Sequence, residues 1–455
     1  MMKPSTAKPS PAKTSVAAPV DSVAPVDSVV ADQVDQPEIV WGKGQRALLD
    51  ALENTNDSIF LTGNAGTGKS TCLNHWLAEQ GDSVQIVAPT GIAALNVGGV
   101  TIHSMFGLPP EALSPSDVAD FLSPRTADKL RAIRTLVIDE VSMVRIDIFA
   151  VMDRMLQLAK GNRKPFGGVR MILVGDLMQL PPVVKQGPEA EHLAMLGSDK
   201  GWFFKSTSFA DLAPRRFFLT EGFRQKDPTF YNLLNRVREG DKRVVIEFNK
   251  LVPPANKAPI STLQLSTTNQ NVDQTNWDRF LALEGEKSTY VGTLIDKFPE
   301  KQVPIPLQHH LGVGARVMTI KNGAGYVNGS LGVIKELRDN DVVVTIDRTK
   351  LDVIVGNAEW PAYDYQMQQG KLQKVTKGSY KQLPVKLAWA MTVHKSQGQG
   401  FDSAIVDLGR GAFAHGQAYV ALSRLRSLGG LYFSRPMKPS DIIVDRDVLE
   451  FLENE

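Results

Sequence analysis

Residues 63–70 read Gly-Asn-Ala-Gly-Thr-Gly-Lys-Ser, and they follow an apolar run, Ser-Ile-Phe-Leu-Thr, at 58–62. The glycines let the backbone curl until its N–H groups point inward, which makes a concavity suited to an anion. The pattern G-x-x-x-x-G-K-[ST] is complete, and a chain of this length meets it by accident about one time in fifty. A helix starting near Lys69 would aim its positive dipole end at the same anion. The segment therefore predicts a phosphate-binding loop between a strand and a helix, with Gly63, Asn64, Ala65, Gly66, Thr67, Gly68, Lys69, Ser70 and Thr71 around a nucleotide. Lys69 is placed for the β- and γ-phosphates and the Ser70 hydroxyl for Mg²⁺. An ordinary glycine turn is the bland alternative, and it accounts for neither flank.

The apolar runs at 84–88, 135–139 and 170–174 are further buried strands, with amphipathic helical patterns between them. Such alternation predicts a parallel sheet covered by helices. A second set follows near 216–220, 263–267, 404–408 and 431–433. Residues 291–384 differ in texture, being rich in Gly, Pro, Val and Lys with many turn signals, and they predict a small β-rich insertion. Residues 1–36 lack aromatics and carry the repeat Ala-Pro-Val-Asp-Ser-Val at 18–23 and 24–29, so a disordered tail is expected there. The absence of Arg from it, with Asp21 and Asp27 present, argues against a transit peptide.

With 455 residues, 42% of them hydrophobic, the chain can bury several cores. It has no apolar run near the roughly 20 residues that a membrane helix needs, so no membrane association is expected. One cysteine, Cys72, rules out an internal disulfide framework; just past the loop, it reads as a buried structural thiol in a reducing compartment. Net charge is only +2, but no Asp or Glu occurs from Lys301 to Lys335 or from Tyr365 to Phe401. The second stretch holds Lys371, Lys374, Lys377, Lys381, Lys386 and Lys395. A basic run is usually a solvated face; two acid-free stretches in one half better suit a polyanionic partner.

Strand 135–139 ends in Asp139-Glu140, about 70 residues after the loop. In phosphate-loop enzymes the first carboxylate supports Mg²⁺ and the second can polarise a water. Gly175-Asp176 then leads to Gln179-Leu180-Pro181-Pro182, where the Gln179 amide could bond a γ-phosphate without adding charge.

Together these segments resemble the superfamily-one helicases, and among them the PIF (petite integration frequency) DNA helicases in compact bacterial form. The resemblance runs from about Gln45 to the C-terminus through Ala88–Ala94, Thr101–Ser104, Asp139–Met143 and Gly175–Pro182, then Gly222–Gln225, Val393–Gly398 and Tyr419–Arg424. It also takes in Ser142–Gly168, a segment that looks particular to this family. The implied fold is α/β: two RecA-like parallel-sheet units, the first with a small wedge insertion and the second with a β-rich SH3-like one. The implied division is a first unit at 37–213 (wedge about 105–130), a second at 214–290 and 385–455, and the insertion at 291–384.

The resemblance implies that Gln45 reads adenine, Asp139 and Ser70 hold Mg²⁺, Glu140 is the catalytic base and Gln179 senses the γ-phosphate. Arg224 and Arg424 become arginine fingers, which neutralise charge spreading over the transferred phosphoryl group. Thr90, Thr101 and His103 on the first unit, with Thr392, His394, Lys395 and Ser396 on the second, match segments that touch single-stranded DNA. Hydroxyls and imidazoles there would hold phosphate and sugar without reading sequence. Met178 stands where relatives commonly carry an aromatic residue. Trp360, Tyr363, Tyr365 and Trp389 could stack on bases, although aromatics in a small β domain are more often core.

The implied activity is ATP- and Mg²⁺-dependent unwinding of forked or structured DNA by a monomer moving 5′→3′ on a single strand, in replication, repair, recombination, telomere-type or G-quadruplex processing. A DNA-stimulated translocase that remodels nucleoprotein without unwinding is the alternative. A ring ATPase is a third class, but that class takes its arginine finger from a neighbouring subunit. The expected location is the bacterial cytoplasm at the nucleoid, or a nucleus or mitochondrion in a eukaryote.

Overall fold

The computed structural model describes residues 40–453, apart from 81–82, 110–111, 223–226, 260–261, 369–370 and 398. The tail at 1–36, Pro110 of the wedge and the candidate finger Arg224 therefore lie outside the described residues.

Six strands build the first sheet: β1 (Ile59–Gly63), β2 (Val84–Ala88), β3 (Val100–Thr101), β4 (Thr135–Ile138), β5 (Arg170–Val174) and β6 (Arg215–Leu219). They lie in the order β3-β2-β4-β5-β1-β6, every pair parallel. β1 is buried along its whole length, as a near-continuous apolar run in a covered parallel sheet requires. Helix α1 (Lys43–Asn54) precedes it, and α2 (Lys69–Gln80) follows the glycine loop. Cys72 on α2 is buried, and burial pushes its thiol up to about 11, so it behaves as an inert packing group.

The second parallel sheet runs Ala390–Thr392, Leu263–Ser266, Ala404–Asp407, Leu431–Phe433, with helix α7 (Asn269–Leu281) against its first two strands. Between its members stand antiparallel sheets. Five strands pair in the order Asp352–Gly356, Asp341–Ile346, Leu331–Leu337, Arg316–Thr319, Val385–Leu387. A long hairpin, Ala358–Gln368 with Lys371–Gln382, takes Thr293–Asp296 as its third strand. The architecture is two RecA-like parallel units plus antiparallel sheets.

Four expectations about boundaries are corrected. The strand expected near 216–220 in the second unit is β6, and it pairs with β1 in the first sheet; an apolar run announces a strand but not the sheet it joins. Lys287–Val291 pairs with Gln308–Gly312, and Val385–Leu387 joins the five-stranded sheet, so the antiparallel region extends past 291–384 on both sides. The C-terminal helix α9 (Arg446–Glu453) returns to the first unit instead of staying with the second. Its Phe451 ring meets Phe60 of β1 edge-on at 6.0 Å, stacks on Phe204 at 4.4 Å and approaches Phe209 at 5.6 Å. Just ahead of it, Asp445 accepts from Lys200 at 2.8 Å and from the Trp202 indole at 3.1 Å.

In the wedge region, α3 (Ile102–Phe106) and α4 (Pro124–Ala132) frame a loop tied down by Leu113, whose N–H donates to Asp147 at 3.0 Å. Asp147 starts helix α5 (Ile146–Lys160) and is itself paired with Arg145 at 2.6 Å. The long hairpin packs on α3, α4 and β3, bridging the antiparallel region to the first unit. Among the described residues no helix is long and apolar enough to cross a membrane.

Full burial makes Phe→Ala cost about 3–5 kcal/mol. Phe451 is only partly buried, so Phe451→Ala is expected to cost about 2–3 kcal/mol, seen as a lower urea midpoint at unchanged slope. An unchanged midpoint would show that α9 does not complete the first core.

Candidate functional site

The phosphate loop depends on how close β1 comes to β6. Gly63 has φ +140°, and a Cβ there would sit 2.2 Å from the Leu219 carbonyl oxygen, so only glycine fits. The next residue closes the contact: the Asn64 N–H donates to the Leu219 carbonyl at 3.0 Å. Lys69 opens α2, and its ammonium donates to the carbonyls of Gly63 at 2.8 Å and Asn64 at 3.0 Å. Gln45 of α1 is buried, accepting from the Gly42 N–H at 2.9 Å and donating to the Thr67 carbonyl at 3.0 Å, which braces the loop from behind.

A cavity of about 340 Å³ opens in front of the loop. Ala65 to Thr71 form one wall, Asp139, Glu140, Asp176 and Gln179 another, and Arg424 a third. The structure thus brings together six candidates, Lys69, Ser70, Asp139, Glu140, Gln179 and Arg424, with residues 65–71 of the loop. Arg424 caps the helix α8 (Gln417–Ser423) and is buried. Its guanidinium donates to the Val420 carbonyl at 3.1 Å and to the Gln399 carbonyl at 3.3 Å, so it is held in place.

Burial raises both Asp139 and Glu140 above the usual carboxylate range. Asp139 adds to the rise at Glu140, while Arg424 and Lys69 oppose it. Glu140 also adopts a left-handed backbone, φ 52° and ψ 43°, uncommon for a residue with a Cβ and frequent at functional sites.

Three neighbours were missed from the sequence as site residues. The buried Asp176 accepts from the Met178 N–H at 3.0 Å and from the Gln179 amide at 3.2 Å, which orients that amide. Tyr419 of α8 is buried, and its hydroxyl accepts from the Ala65 N–H at 3.0 Å. Asn235 of helix α6 (Pro228–Arg238) accepts from the Asn64 amide at 3.2 Å. Asp176 and Tyr419 stand inside motifs already read, but the contacts that give them work span distant parts of the chain.

A second cleft, of about 1240 Å³, shares Ser70, Asp139 and Glu140 with the first. Thr90, His394 and Lys395 line it, together with Arg316, Lys321 and Trp360. The remaining candidates do not line it. Thr101 caps α3 by accepting from the Ser104 N–H at 3.1 Å, and Thr392 accepts from the Lys395 N–H at 3.2 Å. Ser396 is fully buried and donates to the Val393 carbonyl at 2.7 Å. His103 is half-buried, and desolvation lowers its pKa. Trp360 stacks on Tyr380 at 5.9 Å within a small core, and Met178 is buried.

Glu140 supplies a stability test. Its folded pKa is raised, so the folded state binds its proton more tightly than the unfolded chain, and the ionised form is penalised at high pH. Glu140→Gln is expected to raise the Tm of the nucleotide-free protein at pH 8 by a few degrees. The gain should shrink as pH falls toward 5, where the wild type is protonated. A lower Tm for the variant at pH 8 would contradict this electrostatic picture.

A family model described as PIF1-like helicase matches residues 42–246. The chain is 35% identical over 414 residues to the ATP-dependent DNA helicase PIF1 of Rattus norvegicus, covering 87% of this chain and 61% of that one. It spans about three fifths of the length of such curated relatives. Pif1 from Bacteroides sp in complex with ADP-AlF4 superposes with a TM-score of 0.83 at 34% identity, over 92% of this chain and 97% of that one. The Bacteroides Pif1 bound to ssDNA has the same identity and coverage but a TM-score of 0.66. One nearly full-length structural relative at this identity settles the kinship: the chain belongs to the PIF1-like helicase family.

Proposed function

We propose that this protein is an ATP-driven DNA helicase that moves 5′→3′ along single-stranded DNA and unwinds forked or structured duplexes. The observation that carries the reading is the wall common to the two clefts. Ser70, Asp139 and Glu140 line both the phosphate-loop cavity and the larger cleft where His394 and Lys395 stand. A change at the nucleotide is thereby one residue away from a change at the strand.

In this reading the loop N–H groups and Lys69 hold the phosphates. The Ser70 hydroxyl and the Asp139 carboxylate would hold Mg²⁺, a two-oxygen set of the kind that magnesium completes with phosphate and water. Bound there, Mg²⁺ would neutralise phosphate charge. Glu140 takes the proton of the attacking water. Gln179 has one amide hydrogen on Asp176, which leaves the other for the γ-phosphate and its oxygen for the water. Arg424 meets the charge that develops on the transferred phosphoryl group, an effect of roughly 10³–10⁵ in rate for such fingers. Arg224 is proposed for the same duty and Gln45 for adenine. Arg424 and the loop belong to one chain, which supports activity as a monomer.

Thr90, His394 and Lys395 would grip the strand, with Thr101, His103, Thr392 and Ser396 shaping the segments that do so. Opening DNA costs about 1.4 kcal/mol per base-pair step. That is within reach of one hydrolysis cycle per step or more. The Bacteroides relative fits this chain better with ADP-AlF4 than with ssDNA, which supports a DNA-driven rearrangement of the units. Genome maintenance in the bacterial nucleoid, or in a nucleus or mitochondrion, is the setting that such work implies.

Duplexes with a 5′ tail or a 3′ tail test the proposal directly. The wild type should unwind only the 5′-tailed substrate, and Lys69→Ala and Glu140→Gln should each lose about 10²–10⁴ in DNA-stimulated ATPase kcat. Unwinding from 3′ tails alone would reverse the assigned direction. Stimulated hydrolysis without strand separation would make the protein a translocase.

A further inference from the structure

His415 lies in the loop that enters α8, and it is buried. One ring nitrogen, Nε2, is 2.8 Å from the Leu177 carbonyl oxygen; the other, Nδ1, accepts the Asp445 N–H at 2.9 Å. A carbonyl can only accept and an amide N–H can only donate, so the two partners dictate a neutral ring with its proton on Nε2. Trp202 packs edge-to-face against the ring at 5.6 Å. Asp176, Asp445 and Lys200 are the charged groups around it, and burial holds the imidazole below its ordinary pKa.

His415 stands just ahead of α8, while both its partners are tied to the first unit. Leu177 belongs to the Asp176–Gln179 loop, whose amide side chain reaches the nucleotide cavity. Asp445 leads into α9 and is fastened to Trp202 and Lys200 of the first unit. The residue after His415 presses on the same loop: Gly416 has φ +73°, and a Cβ there would lie 2.4 Å from the Gln179 carbonyl and 2.6 Å from that of Met178. Directly beyond, α8 carries Tyr419 and Arg424 to the phosphate loop and the cavity.

We propose that His415 is a positioning residue: by joining the Leu177 carbonyl to the Asp445 amide, it sets where the Gln179 loop stands relative to Arg424. The second unit meets the nucleotide through α8, and His415 makes the γ-phosphate-sensing loop follow that helix. This rests on the ATPase reading above. Loss of the imidazole leaves the Leu177 carbonyl without its donor, and misplacement of about 1 Å at a reacting centre can cost on the order of 100-fold in rate.

Steady-state ATPase kinetics on saturating single-stranded DNA test this with three variants of the full chain. His415→Ala should lower kcat about 10- to 100-fold and leave the KM for ATP within about twofold, because the phosphate loop is untouched. His415→Gln should recover most of the rate, since a primary amide offers a donor and an acceptor at nearly the ring's spacing. Trp202→Phe removes the indole bond to Asp445 but neither bond of His415; it should lower Tm and keep kcat. In the wild type, the Nε2–H resonance of His415, assigned by its absence from His415→Gln, should shift on adding ADP and aluminium fluoride, a readout that does not need His415→Ala to fold. The proposal is overturned by a His415→Ala kcat within twofold of wild type, by an equal fall in kcat in Trp202→Phe, or by an unmoved Nε2–H resonance. A wild type with no DNA-stimulated hydrolysis would instead overturn the ATPase reading.

Discussion

Everything at this site hangs on one backbone contact, the Asn64 N–H donated to the Leu219 carbonyl across Gly63. It joins β1 to β6 at the mouth of the loop, and no side chain would fit between them. β6 is the strand from which the chain runs toward α6 and the second unit. The loop that cradles phosphate is therefore built on the same seam from which the second unit departs. Asn64 and Ala65 extend that seam, bonding to Asn235 of α6 and Tyr419 of α8. The phosphate loop is held by both units before a nucleotide arrives.

The return of α9 matters for the same reason. A second unit joined to the first only through the chain after β6 could swing freely. Phe451 packed against Phe60, Phe204 and Phe209, with Asp445 and Asp447 fastened to Lys200, adds a further attachment far along the chain. Surface ion pairs alone contribute about 0–1 kcal/mol each, so the aromatic contacts supply most of that hold.

Much of this was legible in the amino-acid order. Apolar runs placed β1, β2, β4 and β5 within a residue or two, and the glycine pattern placed the loop, because both depend on neighbours along the chain. What was not legible depends on partners far away. Arg215–Leu219 reads as a strand, but its membership of the first sheet follows from pairing with Ile59–Gly63, which no local pattern encodes. The strand Ala390–Thr392 was not read from the sequence; it is defined by its pairing with Leu263–Ser266 far along the chain. Thr392 and Ser396 stood out as polar residues in a motif, yet their hydroxyls are spent on the turn around Val393 and Lys395. A hydroxyl that holds a loop and one that meets a ligand look the same in one dimension.

Two carboxylates and two fixed cations meet in the cavity in front of the phosphate loop. Asp139 and Glu140 face Lys69 and Arg424, and burial opposes the ionisation of both carboxylates. Arg424 reaches the cavity from the second parallel-sheet unit and Lys69 from the first, so the two cations meet these carboxylates from different units. Ser70, Asp139 and Glu140 also line the larger cleft, so the two raised carboxylates belong to both cavities. A charge placed in either cavity therefore acts on the same pair of carboxylates. Coupling of this kind needs no long relay, because the two clefts are separated by the thickness of a few side chains.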